Sequence, residues 1–198
     1  MSTQGTWQFM SAALVKNNDA PHTFVDDLES VLYVIIWLVL MYSPNSMAVE
    51  QRTAFVQGVL DPKQYLGTGG TTKADFLKGR TSLQDLIFQG RPLLPGLLVE
   101  LATLFAVRYE ILPTNNSPMF EAFRTHFQQR MDHLKSHKHI TKLISDAIQD
   151  TQKWPTDDAA VQQRLLSSEW AGKKRTKTLY DLEDRLTKKL RLDSTSSE

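Results

Sequence analysis

The sequence predicts an all-α protein, and three observations carry that expectation. Apolar residues recur at helical spacing from about position 24 to position 148, and prolines, glycines and capping residues punctuate them. No stretch alternates with period two for long enough to make a strand. The 198 residues suit one domain of ordinary size, and 41% hydrophobic and 9% aromatic content supplies a core and argues against a disordered chain.

Taken in order, the elements begin with a short helical piece over Phe9–Val15, broken by Asn17, Asn18 and Pro21. Thr23 caps the next helix, with Asp26 three residues on as an acidic variant of the capping box. That helix runs from Phe24 to Tyr42 and stops before Pro44, with Asp26, Asp27 and Glu29 near the positive end of its dipole. Its second half, Val31–Tyr42, is apolar on every face, so it is expected to be wrapped on all sides as the hydrophobic centre of the fold. At about 1.5 Å per residue this run covers about 18 Å, short of the roughly 30 Å needed to cross a bilayer. No basic, apolar, small-residue leader is visible at the N-terminus, so the expectation is an intracellular protein, cytoplasmic or nuclear, without a membrane partner.

Further helices are expected over Ser46–Val59, Lys73–Lys78, Ser82–Phe88 and from Pro95 to about Ile111, with loop over residues 61 to 72. Ser117 and Pro118 read as an N-cap and first helical position, opening a helix with Met119, Phe120, Phe123, Phe127, Met131 and Leu134 on one broad face. Ile140, Leu143, Ile144, Ala147 and Ile148 continue as another helix, and residues 157 to 170 read as a further one. The division expected is a core domain over 1–155 and a helical basic tail over 156–198.

Charge narrows the partners. The net charge is +1, with eight basic and four acidic side chains in residues 173 to 193, which leaves −3 elsewhere. The interspersed acids argue for an ordinary charged helix and against nucleic acid. Leu179, Leu182, Leu186 and Leu190 form one apolar stripe suited to docking on the domain or on a protein partner, and Lys173–Arg175 also resembles a nuclear import signal. With no cysteine in the chain, disulfides, thiolate zinc sites and cysteine nucleophiles are excluded. His133, His137 and His139 cluster, the first two at a spacing that shares a helix face, but Lys135 and Lys138 repel a cation and no carboxylate motif is near. They read as a solvated basic face, and no metal site is expected.

Two stretches stand apart from this pattern: Gly5-Thr6-Trp7-Gln8-Phe9-Met10-Ser11, and His22 followed by Asp26-Asp27-Leu28-Glu29-Ser30 leading into the apolar helix with Tyr33 and Trp37. In this order and spacing they resemble the fungal-type protein kinase family, and the Asp-Asp-Leu-Glu-Ser stretch is similar to the casein kinase one family. Thr71–Leu77, TTKADFL, also resembles the fungal family. The resemblance implies the C-terminal, helical lobe of the protein kinase-like fold, with the N-terminal lobe absent. It implies that Gly5 and Thr6 are a remnant of the substrate-side activation segment. It gives Asp27 the place of the anchor that accepts hydrogen bonds from a catalytic loop. His22, Asp26, Glu29 and Ser30 become structural members of the motif, Asp26 and Glu29 being explained by their place in a first helical turn. Where most kinases have Ala-Pro-Glu, this chain has Ser11-Ala12-Ala13, so that motif's glutamate–arginine pair cannot form here.

Phosphoryl transfer by a kinase needs a glycine-rich loop, a paired lysine, a catalytic aspartate and metal-binding Asp-Phe-Gly and asparagine. The sequence has no His-Arg-Asp and no Asp-Phe-Gly, and only four residues precede Gly5. Asp75-Phe76-Leu77 lacks the glycine, and Gly67–Gly70 lacks the spacing of a phosphate loop. No catalytic residue and no cofactor is therefore expected; ATP and magnesium enter only if an upstream part exists. Three readings follow: an inactive truncated kinase domain acting as a binding module, a fragment of an active serine/threonine kinase, or a helical interaction module of another kind. With its usual partners missing, Asp27 is expected to be a buried, unpaired carboxylate that costs about 1–3 kcal/mol and makes the fold marginal.

Overall fold

Capped by Thr23, Phe24–Tyr42 is the longest helix among the described residues of a computed structural model, which are residues 7–17, 19–61, 69–79, 81–112, 118–149, 153–156 and 160–166. The chain divides into two units, Met1–Arg164 and Leu165–Glu198. The first contains eight α-helices among its described residues: α1 (Ala12–Lys16), α2 (Phe24–Tyr42), α3 (Val49–Phe55), α4 (Gly69–Gly79), α5 (Thr81–Gln84), α6 (Leu94–Ala106), α7 (Glu121–His133) and α8 (Lys138–Gln149). Trp7–Phe9, Val107–Tyr109 and Pro118–Phe120 are single 3₁₀ turns, and α3 runs on into a π-helical turn, Val56–Leu60. No strand occurs among the described residues, where Asn45 and Phe88 make an isolated bridge. The fold is all-α.

Helix α2 begins and ends where its sequence signals lie. The Asp26 carboxylate accepts from the Thr23 backbone N–H at 2.9 Å and from its hydroxyl at 2.6 Å, closing the first turn. Leu32, Tyr33, Ile36 and Leu40 are wholly buried against the rest of the core, and α6 buries Leu98, Leu101, Ala102 and Phe105 beside them. The expectation that α2 is wrapped on all sides is overturned. Phe24, Val31 and Leu38 are 48%, 48% and 45% exposed. These positions are seven residues apart, close to two helical turns, so they share one side that the other helices leave open.

Helix α1 lies on α4 and α4 on α6, which carries α8 on another side. The approach of α1 to α4 is close because Gly70 has no side chain. A Cβ there would stand 2.5 Å from the Ala12 carbonyl oxygen and 2.6 Å from the Lys16 backbone nitrogen. Helix α4 starts at Gly69, four residues earlier than the sequence suggests, because Gly69 and Gly70 are buried in this contact.

Other differences are at the edges. α7 buries none of its residues; Phe123 is 41% exposed and Phe127 and Met131 are half-buried, so its apolar face is only partly covered. Residues 160–166 are not helical. Val161 and Gln163 instead donate backbone hydrogen bonds to the carbonyls of Tyr42 and Met41, and Arg164 accepts one from the Arg52 guanidinium. This extended pairing at the end of α2 uses carbonyls that a helix terminus leaves without partners. The leucine stripe 179–190, the basic residues around it and the Gly5–Thr6 pair lie outside the described residues. No helix among the described residues is long and apolar enough to cross a membrane.

Candidate functional site

The first turns of α2 gather the charged residues of the family-like stretch. Asp26, Glu29 and Tyr33 follow one another at three and four residues, so they lie on one helix face. That face is turned inward, and both carboxylates are buried, at 2% and 0% exposure. Buried carboxylates require partners, and they come from two distant segments.

Residues 11–13 supply one set of partners. The Ser11 hydroxyl donates to Asp26 Oδ1 at 2.7 Å while accepting from the Leu14 N–H, so it caps α1 and holds α2 together. The Ala12 N–H donates to Glu29 Oε1 at 2.8 Å, and the Ala13 N–H to the Tyr109 hydroxyl at 3.2 Å. The second set comes from the 3₁₀ turn after α6. Arg108 Nη2 is 2.7 Å from Asp26 Oδ1 and Nη1 pairs with Glu29 Oε2. The Tyr109 hydroxyl lies 2.7 Å from Glu29 Oε2, and the Tyr33 hydroxyl donates to Oε1 at 3.1 Å.

The electrostatics follow from this geometry. Burial pushes the Asp26 carboxyl up, but hydrogen bonds from Thr23, Arg108 and Ser11 outweigh it and hold the group down at about 2. Burial and the neighbouring Glu29 charge push the Tyr33 and Tyr109 hydroxyls well above the ordinary range, so both donate as neutral phenols. For Arg108, burial lowers the pKa, but Glu29, Tyr109 and Asp26 raise it further, and the guanidinium stays charged.

Asp27 is one residue round the helix and lies elsewhere. Its side chain is 66% exposed and 3.1 Å from His22 Nε2, itself 57% exposed. The expected buried and unpaired carboxylate is corrected here. One residue turns about 100° round a helix, so placing Asp26 and Glu29 inward leaves Asp27 facing water, and the penalty for an unsatisfied buried charge does not arise. Ser30 is half-buried and donates to the Asp26 carbonyl at 2.8 Å. Arg108 and Tyr109 were not singled out by sequence reasoning. Their signal was present: a charged residue and a phenol directly after the largely apolar stretch Leu97–Val107, in which Glu100 and Thr103 are polar.

Lys73, in the TTKADFL stretch, is fully buried. Its Nζ donates to the carbonyls of Met10, Gln8 and Trp7 at 2.7, 2.8 and 3.3 Å, and lies 4.4 Å from the centre of the Tyr33 ring. Phe9 packs edge-on to Trp37, which packs edge-on to Tyr42. Residues 7–13 are thus fixed to α2, α4 and the 108–109 turn at once.

The histidines take a different arrangement. α7 ends at His133 and α8 begins at Lys138, so His137 lies in the turn and does not share a helix face with His133. His133 stacks on His139 with centroids 4.0 Å apart. Both line a cavity of about 550 Å³ with Glu100, Glu110, His126 and Arg130, where Arg130 is already paired with Glu110. Among the described residues no group of three or more ligating side chains could hold a metal ion.

A family model described as fungal protein kinase matches residues 1–39. The match covers residues 7–16 and the start of α2 through Val39, but neither Lys73 nor Arg108. No curated protein and no solved structure matches the sequence.

Proposed function

We propose that the chain is a non-catalytic lobe of the fungal protein kinase type that serves as a protein-binding module. The observation carrying this reading is the saturation of Asp26 and Glu29. Their four carboxylate oxygens accept from Ser11, Thr23, Ala12, Arg108, Tyr33 and Tyr109, all within the fold. A carboxylate that binds metal or moves a proton needs an oxygen facing substrate, and these two face Arg108. They brace residues 11–13 against the core. Calorimetry of the purified chain with ATP and magnesium tests the reading. No heat of binding up to millimolar nucleotide is expected, and binding in the micromolar range would overturn it.

A second reading, a piece of an active serine/threonine kinase, is favoured by the open side of α2. Phe24, Val31 and Leu38 are exposed there and Asp27 is exposed on the same helix, an exposure that also favours the reading of a helical interaction module of another kind. A further polypeptide carrying the phosphate-binding parts would cover this apolar side and give Asp27 backbone donors. Transcript sequencing across the region upstream of the Met1 codon separates the two readings: an in-frame His-Arg-Asp and Asp-Phe-Gly would support the active kinase.

A further inference from the structure

The open side of α2 carries an ordered stripe. Phe24, Leu28, Val31, Ile35, Leu38 and Tyr42 follow one another at alternating steps of four and three residues. This is the spacing of a helix-pairing seam, and it sets all six along one side of the helix. Leu32, Tyr33, Ile36 and Leu40 fill the opposite side and are wholly buried. On the stripe Phe24, Val31 and Leu38 are exposed, while Leu28, Ile35 and Tyr42 are half-buried, and none of the six is charged. Val161, also exposed, donates its N–H to the Tyr42 carbonyl and adds an apolar residue at the end of the helix.

We infer that this stripe is a self-association surface, on which α2 packs antiparallel against α2 of a second copy of the chain. The inference rests on the binding-module reading and names the partner of that module.

The stripe is complementary to itself when one copy is reversed. Turned end for end about the point between Val31 and Ile35, Phe24 meets Tyr42, Leu28 meets Leu38 and Val31 meets Ile35 of the second copy. Each layer joins side chains of similar shape: two aromatics, two leucines and two β-branched residues. A twofold interface requires this reciprocity, because residue i meets j where j meets i.

Charge selects the direction. Asp27 is exposed in the first turn of α2, with His22 beside it. Arg164 is exposed in the segment that hydrogen-bonds the last turn. Antiparallel packing carries Asp27 of each copy towards the end that holds Arg164 of the other, and sets the helix dipoles in opposition. Parallel packing would bring Asp27 to Asp27, a repulsive contact.

Area sets the strength. A helix of 19 residues is about 28 Å long and about 10 Å across. Two such strips bury on the order of 1,000 Å² in total, the low end for a specific pair. The dimer is therefore reversible, with a dissociation constant on the order of 100 μM.

Sedimentation velocity on the full chain, from about 10 μM to about 1 mM, tests the inference. A concentration-dependent shift from monomer to dimer is expected. Leu38→Glu and Leu28→Lys are each expected to weaken the dimer about tenfold or more, with helix content by circular dichroism unchanged. Combining Leu28→Lys with Leu38→Glu is expected to restore it, because each lysine then meets a glutamate of the reversed copy. A chain that stays monomeric throughout, a dimer that survives Leu38→Glu, or a double variant no better than the single ones would overturn the inference. Should these variants fail to fold, the absence of cysteine allows one spin label at His22→Cys with the stripe intact. Labels on the two copies are expected about 35 Å apart, from the helix rise between the two reversed ends. A separation of about 10–20 Å, as parallel helices give, or no coupling between copies, would overturn it. Neither measurement involves nucleotide. A monomer that binds no ATP overturns the dimer alone, and a dimer that binds ATP overturns the non-catalytic reading alone.

Discussion

Arg108 and Glu29 stand 79 positions apart in sequence, yet the guanidinium of one closes the carboxylate of the other in the centre of the fold. Arg108 also reaches Asp26, so one cation joins the turn after α6 to both inward carboxylates of α2. Residues 11–13 join the same network through Ser11 Oγ and two backbone N–H groups.

Breaking this pair is expected to cost more than any surface change. Arg108→Met leaves two buried carboxylates without their cation, which typically costs about 3–5 kcal/mol. Urea unfolding should show the midpoint falling accordingly. Adding Glu29→Gln to Arg108→Met should recover part of the loss, because the second change removes the stranded charge. A double variant as unstable as the single one would show that packing dominates.

Acid should weaken the fold through Asp26. Its folded pKa lies near 2, below the ordinary value of 3.8, so its stabilising contribution is present above about pH 4 and is lost as pH falls towards 2. The full effect is on the order of 2–3 kcal/mol. Asp26→Asn should lower stability at neutral pH and flatten this part of the acid slope. Chemical denaturation at a series of pH values reads both.

Gly70 and Gly96 should answer alanine in opposite directions. At Gly70 the new methyl would strike the Ala12 carbonyl, and overpacking of this kind costs about 1–3 kcal/mol. Nothing lies within 4 Å of a Cβ at Gly96, inside α6, where alanine should stabilise by about 0.5–1 kcal/mol. Thermal melts of both variants check the contrast.

The His22–Asp27 pair should matter little to stability. Both side chains are more than half exposed, and pairs of this kind contribute about 0–1 kcal/mol. Asp27→Ala is expected to leave the unfolding midpoint nearly unchanged. A loss of several kcal/mol would mean that Asp27 has a buried role after all.

The helical class and the bounds of α2 were legible in the sequence, because capping and 3.6-residue periodicity are local and Thr23, Asp26 and Pro44 act within a turn or two of where they stand. The family-like stretch was legible for the same reason, as a contiguous run of residue types. Which carboxylate faces inward was not. Asp26 and Asp27 are neighbours of identical chemistry, and the choice between them depends on where Arg108 arrives from. The sites of Lys73 and Gly70 were likewise decided by the approach of α1 to α4, a contact between segments more than fifty residues apart. Sequence by itself determined the helices and their polar ends. Tertiary structure decided which of those polar groups are buried, since burial is a property of the neighbours that a helix face meets.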